Sequence, residues 1–188
     1  MLSGSTRIRL LRALHDRPGL NVTEYARALN IGRSDASQEL RRIQSRGLLG
    51  ADHRGVSLIY RFRADPQVVS AAPLLNTLKT VLAAHPSADD GRIAAIAAGL
   101  AHPRRIAMLQ SIMEAPKSVF ALQGEISTSY TNLQRHLRIL MDGGWVARKG
   151  RILQYIAPTH PLARTLVKLL PERASPCRAN RHSVSSST

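Results

Sequence analysis

Residues 130–151 form a stretch in which arginine, glutamine and hydroxyl side chains recur at helical spacing. With Leu133, Leu137 and Leu140 turned inward, at about 100° per residue, one outward face remains. That face carries Thr131, Gln134, Arg135 and Arg138, and Tyr130 stands at the start of the helix. Arginine bonds guanine and glutamine bonds adenine through paired hydrogen bonds, while threonine and tyrosine bond phosphate. The pattern predicts contact with double-stranded DNA, although an ordinary solvated helix face has a similar composition.

A basic turn follows this helix. The tripeptide Lys149-Gly150-Arg151 is typical of the tip of a two-stranded hairpin, and Arg148 precedes it. A basic hairpin lies on a phosphate backbone or enters the minor groove, where the electrostatic potential attracts arginine. Lys-Gly is also a plain turn pair. Its position directly after a basic helix face favours DNA contact.

The sequence is less specific about the roles of two ring side chains in this stretch, His136 and Trp145. His136 is compatible with a phosphate contact and with a half-buried helix position, and the sequence favours neither. Trp145 follows Gly144 at the start of the first strand of the hairpin. We expect the indole to belong to the core rather than to stack on a base.

An equivalent but less basic set occurs earlier in the chain. Its members are Arg33, Ser34, Ser37, Gln38 and Arg41 on a helix, and Arg54 in the turn of the hairpin that follows. Asp35 and Glu39 share that helix and repel phosphate unless they are paired, for example Asp35 by accepting from cytosine, or Glu39 with Arg42 or Arg46. This set is therefore expected to be the weaker one. Binding of a different half-site, contact with the backbone alone and a purely packing role all remain open.

The elements that must position these side chains are repeated. The segment "RIRLLRAL" (residues 7–14) matches "RIAMLQSI" (105–112), and "PLLNTLKTVL" (73–82) matches "PLARTLVKLL" (161–170). Between them, Leu40 matches Leu137, and each is followed seven residues later by a glycine. Each copy has the order helix, helix, helix, hairpin, helix. The predicted fold is therefore mainly α with small β-hairpin wings, as two tandem winged helix-turn-helix domains.

The domain boundary is placed at the polar, turn-rich segment "HPSADDG". The first domain is predicted at residues 5–84, a linker at 85–91 and the second domain at 92–171. The remaining residues, 172–188, are rich in serine, proline and arginine and are expected to form a disordered basic tail.

The second copy contains "LAHPRRIAMLQSI" followed by "SVFALQGEISTSYTNLQRHLRILMDGGWV". These segments resemble the ArsR family of repressors, with its L-x-x-P-x-R-x-x-I-L helix and its S-x-H-L-x-x-L-x-x-x-G-L-V recognition helix. The matching positions include Val119, Leu122, Ile126, Leu133, His136, Leu137, Leu140, Gly144 and Val146. The first copy keeps the apolar frame but has Glu39 in place of His136. Most of these positions are core positions, so the resemblance specifies fold more strongly than function.

The resemblance implies DNA binding through the third helix and the wing of each copy. Members of the family often carry a thiol metal site in the second helix. Here "SVFALQGEI" and "NVTEYARAL" contain no cysteine, and the single cysteine of the chain is Cys177. No metal and no cofactor are therefore expected. A histidine–carboxylate site across a dimer stays open but is not favoured.

Charge and composition favour a nucleic-acid partner. The formal net charge is +15 at pH 7, and a strongly basic chain attracts polyanions. Residues 1–70 carry 12 basic and 6 acidic side chains, and residues 99–160 carry 8 and 3, whereas residues 71–98 are neutral. The excess charge therefore lies in the two repeated units, which indicates two DNA-binding modules rather than one basic tail.

These patterns separate the function classes. The sequence has no Gly-rich phosphate loop, metal-ligand cluster or nucleophile motif, so we expect no enzyme. A sequence-specific transcriptional regulator is the favoured function. A sequence-tolerant chromatin, nucleoid or plasmid-maintenance protein is the alternative, since it shares the charge, and a winged-helix protein-interaction scaffold is less favoured. No signal peptide or run of membrane-spanning length is recognised, so a cytoplasmic, nucleoid-associated location without a membrane partner is expected.

The duplication also predicts how the two copies of the unit pack against each other. The helices near Pro73 and Pro161, and a helix predicted at residues 92–101, are apolar enough to pack across the two units. ArsR-type repressors act as dimers, so one chain with two copies is expected to form an intramolecular pseudo-dimer, with recognition helices about 34 Å apart. The first copy lacks a helix before Arg7. A homodimer of chains therefore remains the alternative.

Overall fold

The computed structural model describes residues 4–171; the predicted basic tail, 172–188, lies outside the described residues. The first half of the chain (residues 4–86) contains four helices and one antiparallel hairpin. These are α1 (Ser5–Asp16), α2 (Val22–Leu29), α3 (Arg33–Gln44), β1 (Leu49–Arg54), β2 (Ser57–Phe62) and α4 (Ala71–Ala84). The helix predicted from Pro73 thus begins two residues earlier.

The second half (residues 87–171) begins with a short 3-10 helix, Ser87–Asp89. The elements that follow are α5 (Asp90–Gly99), α6 (Pro103–Glu114), β3 (Lys117–Ser118), α7 (Val119–Glu125), α8 (Tyr130–Asp142), β4 (Val146–Lys149), β5 (Ile152–Tyr155) and α9 (Pro161–Lys168). The described part of the chain is therefore mainly helical with small antiparallel β elements, which confirms the predicted class at that level.

The second half has one strand more than the sequence predicted. The two residues of β3 pair with β5, and the sheet has the order β3-β5-β4. In the first half the same place holds a single bridge between Asn21 and Ile59. A strand of two residues is too short to produce an alternating apolar pattern, so the periodicity of the sequence does not reveal it.

The third helices, α3 and α8, are fixed by their apolar faces. Ala36, Leu40 and Ile43 are buried on α3, and Leu133, Leu137 and Leu140 are buried on α8. Gly47 and Gly144 follow the two helices with φ angles of 76° and 71°. This left-handed conformation favours glycine and turns the chain out of each helix into a hairpin.

The two halves pack against each other. In the described residues α4 lies against α9, and α1 lies against α5. The hydroxyl oxygens of Thr77 and Thr165 are 2.9 Å apart across the contact between α4 and α9. Buried residues of both halves belong to one hydrophobic cluster. The repeated units thus share a core.

The segment predicted as a linker, residues 85–91, is folded against the first half. It forms the 3-10 helix and the start of α5, two residues before the predicted start at residue 92. Asp90 is only 7% exposed and accepts a hydrogen bond of 2.8 Å from Arg12 Nε on α1. The same guanidinium donates to the carbonyl oxygens of Leu82 and Pro86. This bonding holds the connection in one conformation.

Candidate nucleic-acid interface

The outward face of α8 consists of polar side chains. The helix begins after Ser129, whose hydroxyl accepts from the backbone N–H of Asn132, as an N-cap does. The structure leaves Thr131, Arg135 and Arg138 exposed, Gln134 half-buried and Tyr130 57% exposed. Because the opposite face carries the buried leucines, packing fixes which side chains of α8 face solvent. All five residues predicted on this helix are therefore on its accessible side.

The β4–β5 hairpin presents a second basic group. Arg148, Lys149 and Arg151 are all exposed. Lys149 pairs with Ile152 in the strand register, so the turn between them is short, and Arg148 Nε donates to the carbonyl oxygen of Gly150 at 3.1 Å. Such a turn directs positive charge away from the core at the end of the hairpin.

Within the described residues, the basic side chains of α8 and this hairpin have no acidic partners. Among residues 4–171, no carboxylate forms an ion pair with Arg135, Arg138, Arg148, Lys149 or Arg151. Their charge is therefore not neutralised within the described part of the chain. A surface of this kind attracts anions, and arginine in particular offers paired donors to phosphate or to a guanine edge.

His136 lies on the inner side of α8 and does not reach the basic face. It is 8% exposed, its Nδ1 is 3.4 Å from Arg105 Nη1, and its ring centroid is 4.8 Å from that of His102. Burial, together with the positive charges of His102, Arg105 and Arg135, lowers the pKa of His136. A neutral ring accepts the arginine hydrogen bond, so of its two interpretations the structure favours the structural one.

Three residues predicted on α3 line one groove. Arg33, Ser37 and Arg41 meet the start of α2 (residues 21–23) and the start of β2 (residues 56–58) around a space of about 250 Å³. The groove contains two guanidinium groups and several hydroxyls. These are groups that bond phosphate oxygens. The structure thus brings the helix and the hairpin of the first half to a common polar surface.

The remaining predicted residues of the first half lie outside that groove. Ser34 and Gln38 are exposed on α3 and bond each other, with Gln38 Nε2 3.3 Å from Ser34 Oγ. Arg54 is exposed at the end of β1. In the same hairpin Asp52 pairs with Arg63 at 3.2 Å. This hairpin is therefore partly neutralised, unlike its counterpart in the second half.

Glu39 is held inside the fold by two arginines. Its carboxylate accepts from Arg7 Nε at 2.7 Å and from Arg42 Nη1 at 2.5 Å, and its side chain is 16% exposed. Burial alone raises the pKa of Glu39, but the hydrogen bonds from Arg7 and Arg42 outweigh it and lower the pKa. The sequence predicted Arg42 or Arg46 as the partner of Glu39, and the structure shows Arg42. The second partner, Arg7, was not predicted. Glu39 therefore adds little negative charge to the outward face of α3.

The structure places Thr23 and Val56 in the groove of the first half, although the sequence predicted neither of them there. Thr23 lines the groove of the first half, at the start of α2. Phe120 occupies the matching position of α7 and is 86% exposed. Val56, at the tip of the first hairpin, is fully exposed. Phe120 and Thr23 hold the same position in the two repeats, each as the second residue of its helix. Comparing the second helices of the repeats, and not only the third, is the sequence signal that points to these two residues.

Two other features, a metal-binding cluster and a membrane-spanning helix, are absent from the described residues. Within residues 4–171, no group of three histidine, cysteine, aspartate or glutamate side chains is placed to hold a metal ion. In the same residues no helix has both the length and the apolar character needed to cross a membrane. Comparison of the chain with family models, curated proteins and solved structures found no match.

Proposed function

We propose that this protein is a sequence-specific transcriptional regulator that binds double-stranded DNA through two winged helix-turn-helix units. In each unit the third helix, α3 or α8, enters the major groove and the hairpin contacts the backbone or the minor groove. The second unit reads base edges with Gln134, Arg135 and Arg138. The first unit contributes mainly phosphate contacts through Arg33 and Arg41.

One observation carries this proposal. The exposed basic side chains of α8 and the β4–β5 hairpin have no acidic partner among residues 4–171. A basic helix face followed directly by a basic turn is the surface that a helix–wing unit presents to a duplex. A protein-interaction scaffold has no need for this uncompensated charge.

The arrangement proposed is an intramolecular pseudo-dimer. Thr77 and Thr165 hold the same position in the two repeated segments, and they contact each other between α4 and α9. Contact between equivalent residues is the mark of a two-fold interface. One chain would then present two different recognition helices to one DNA face, and its site would consist of two unlike half-sites.

The test is duplex binding by the full chain over a range of salt concentrations. If both units touch DNA, about 6–10 phosphates are neutralised, and affinity falls by about 10³–10⁵ between roughly 50 and 200 mM salt. Arg164→Gln, which removes an exposed charge of α9 outside the proposed interface, serves as the control and should leave the slope unchanged. A flat response to salt, or no binding at low salt, would remove the proposal.

Three further measurements test the finer claims. Mapping of bound DNA across the genome should give sharp peaks, whereas even coverage would support the alternative of a nucleoid or plasmid-maintenance protein. Light scattering and footprinting should find one chain on two unlike half-sites. A stable dimer of chains on a palindrome would contradict the pseudo-dimer.

A further inference from the structure

A cavity of about 280 Å³ lies where three helices of the second half, α5, α8 and α9, meet. It is bounded by α5, by the end of α8 and residues 143–145, and by residues 156–160 and the start of α9. Its size is near the lower end of the range of about 300–1,000 Å³ that is usual for small-molecule sites. The cavity is separate from the proposed DNA-contact face of α8.

The wall of the cavity is apolar. Ile96, Trp145, Ile156 and Ala163 contribute to it. Trp145 is 1% exposed and its indole N–H donates to the carbonyl oxygen of Ile96 at 2.9 Å, so the ring is fixed in the wall directly behind the cavity surface. Ile156 is 40% exposed. An apolar group in the cavity would cover part of that side chain, which is favourable because it removes apolar surface from water.

The polar groups of the cavity carry positive charge and donors. Arg92 is exposed, and among residues 4–171 it has no hydrogen bond or ion pair. His160 caps α9 by accepting the N–H of Leu162 on Nδ1 at 3.2 Å. Burial and the neighbouring His85 and Arg92 lower the pKa of His160. A neutral ring that accepts on Nδ1 carries its hydrogen on Nε2, so Arg92 and His160 both offer donors.

One acidic residue limits the charge of a ligand. Asp142, at the end of α8, lines the same cavity and is exposed. Its carboxylate disfavours a ligand with two negative charges, whereas Arg92 favours one negative charge. We propose that this cavity binds a small monocarboxylic acid with a compact apolar body, the carboxylate on Arg92 and His160 and the body against Ile156, beside the buried Trp145.

The location connects this site to the proposed function. The cavity is formed by the end of α8, the turn that leads from α8 into the β4–β5 hairpin and the first turn of α9, which packs on α4. A ligand there would change how the recognition helix, its hairpin and the contact between halves fit together. This consequence rests on the proposed function, whereas binding of the acid does not.

The site can be tested on the full chain without DNA, because Trp145 is the single tryptophan. Its fluorescence and its one indole N–H resonance report on the cavity wall directly. Phenylacetate is the probe, with phenylacetamide as the neutral and 2-phenylethylamine as the cationic analogue. Phenylacetate should give a saturable change of both signals, and each analogue should bind about 10-fold more weakly or worse, since a charge-assisted hydrogen bond is lost.

Variants separate the cavity from general anion binding. Arg92→Gln should weaken phenylacetate binding by about 10-fold or more, while Arg104→Gln, an exposed arginine of α6 outside the cavity, should not. Ala157→Leu, at the exposed edge, should block binding by filling the space. The proposal is overturned if phenylacetate causes no saturable change at Trp145, if the amide binds equally well, or if Arg92→Gln binds as tightly as the unmodified chain. A signal change on dilution without probe would indicate that a second chain covers the cavity, and this too would overturn it.

Discussion

Thr77 Oγ1 lies 2.9 Å from Thr165 Oγ1, although the two residues are 88 positions apart in the chain and occupy the same place in two repeated helices. Thr77 Oγ1 also donates to the carbonyl oxygen of Pro73 at 3.0 Å. With its hydrogen used in that bond, Thr77 accepts from Thr165. The contact between α4 and α9 therefore joins equivalent points of the two halves.

This contact predicts coupling between the two threonines. Thr165→Val and Thr77→Val should each lower the free energy of unfolding by about 0.5–1.5 kcal/mol, because each leaves a hydroxyl without its partner. The double variant should lower the free energy of unfolding by no more than the more destabilising single variant does, since both hydroxyl groups are then absent. Denaturant unfolding of the four chains measures this. Thr80→Val, which loses only a bond within α4 to Asn76, is the control; simple additivity of the two threonine variants would contradict the prediction.

The ion pair between Arg12 and Asp90 is predicted to matter for stability. Both side chains are about a tenth exposed, at 11% and 10%. Asp90→Ala should lower the free energy of unfolding by about 3 kcal/mol, because it leaves a largely buried guanidinium without its counter-charge. Asp52→Ala, in an exposed pair with Arg63, should cost less than about 1 kcal/mol. Similar losses in the two variants would show that the predicted linker is not held by this pair.

The two proposed recognition helices, α3 and α8, are predicted to contribute differently to the proposed DNA binding. Arg135→Ala and Arg138→Ala should each weaken binding to the preferred duplex by about 1–3 kcal/mol and relax base preference. Arg41→Ala should weaken binding to all duplexes alike and reduce the salt slope by about 1, because its groove suits phosphate. Titrations of selected and scrambled duplexes distinguish these patterns. If Arg41→Ala lost as much base preference as Arg135→Ala, the assignment of base reading to α8 and of phosphate contact to α3 would be refuted.

The buried His136 is predicted to make stability dependent on pH. Burial and the nearby positive charges lower its pKa in the folded state below the ordinary value of 6.5. The unfolded chain then binds the proton more readily, so the free energy of unfolding decreases as the pH falls below about 6.5.

His136→Gln keeps an acceptor for Arg105 but cannot be protonated, and should reduce this decrease. Unfolding curves between pH 7.5 and about 5 would test it; an unchanged slope in the variant would count against the assignment. His160, whose pKa is also lowered, accounts for a remaining slope.

The two repeats place different side chains, Glu39 and His136, at the same position beside an arginine. Arg7 bonds Glu39 in the first half, and Arg105 contacts His136 at the matching positions of the second half. In both cases an arginine of the first repeated helix contacts a side chain on the inner side of the third helix, although Arg105 Nε also donates to the carbonyl oxygens of Ala98 and Gly99. The sequence alignment related Glu39 to His136, but it did not relate either to the arginine.

The sequence by itself determined the local features of this protein. Apolar periodicity gave the helices, the two hairpins and the inward faces of α3 and α8, because a helix or strand repeats its buried positions at a fixed spacing. It also gave the outward position of Arg135 and Arg138. These properties depend on residues only a few positions apart.

Only the tertiary structure decided which distant residues meet. The pairs Arg7–Glu39 and Arg12–Asp90 are separated by 32 and 78 positions. The two-residue strand β3 exists because β5 lies beside it, and the cavity at Trp145 exists because α5, the end of α8 and α9 leave space between them. Such contacts depend on the relative orientation of packed elements, and periodicity along the chain carries no information about that orientation.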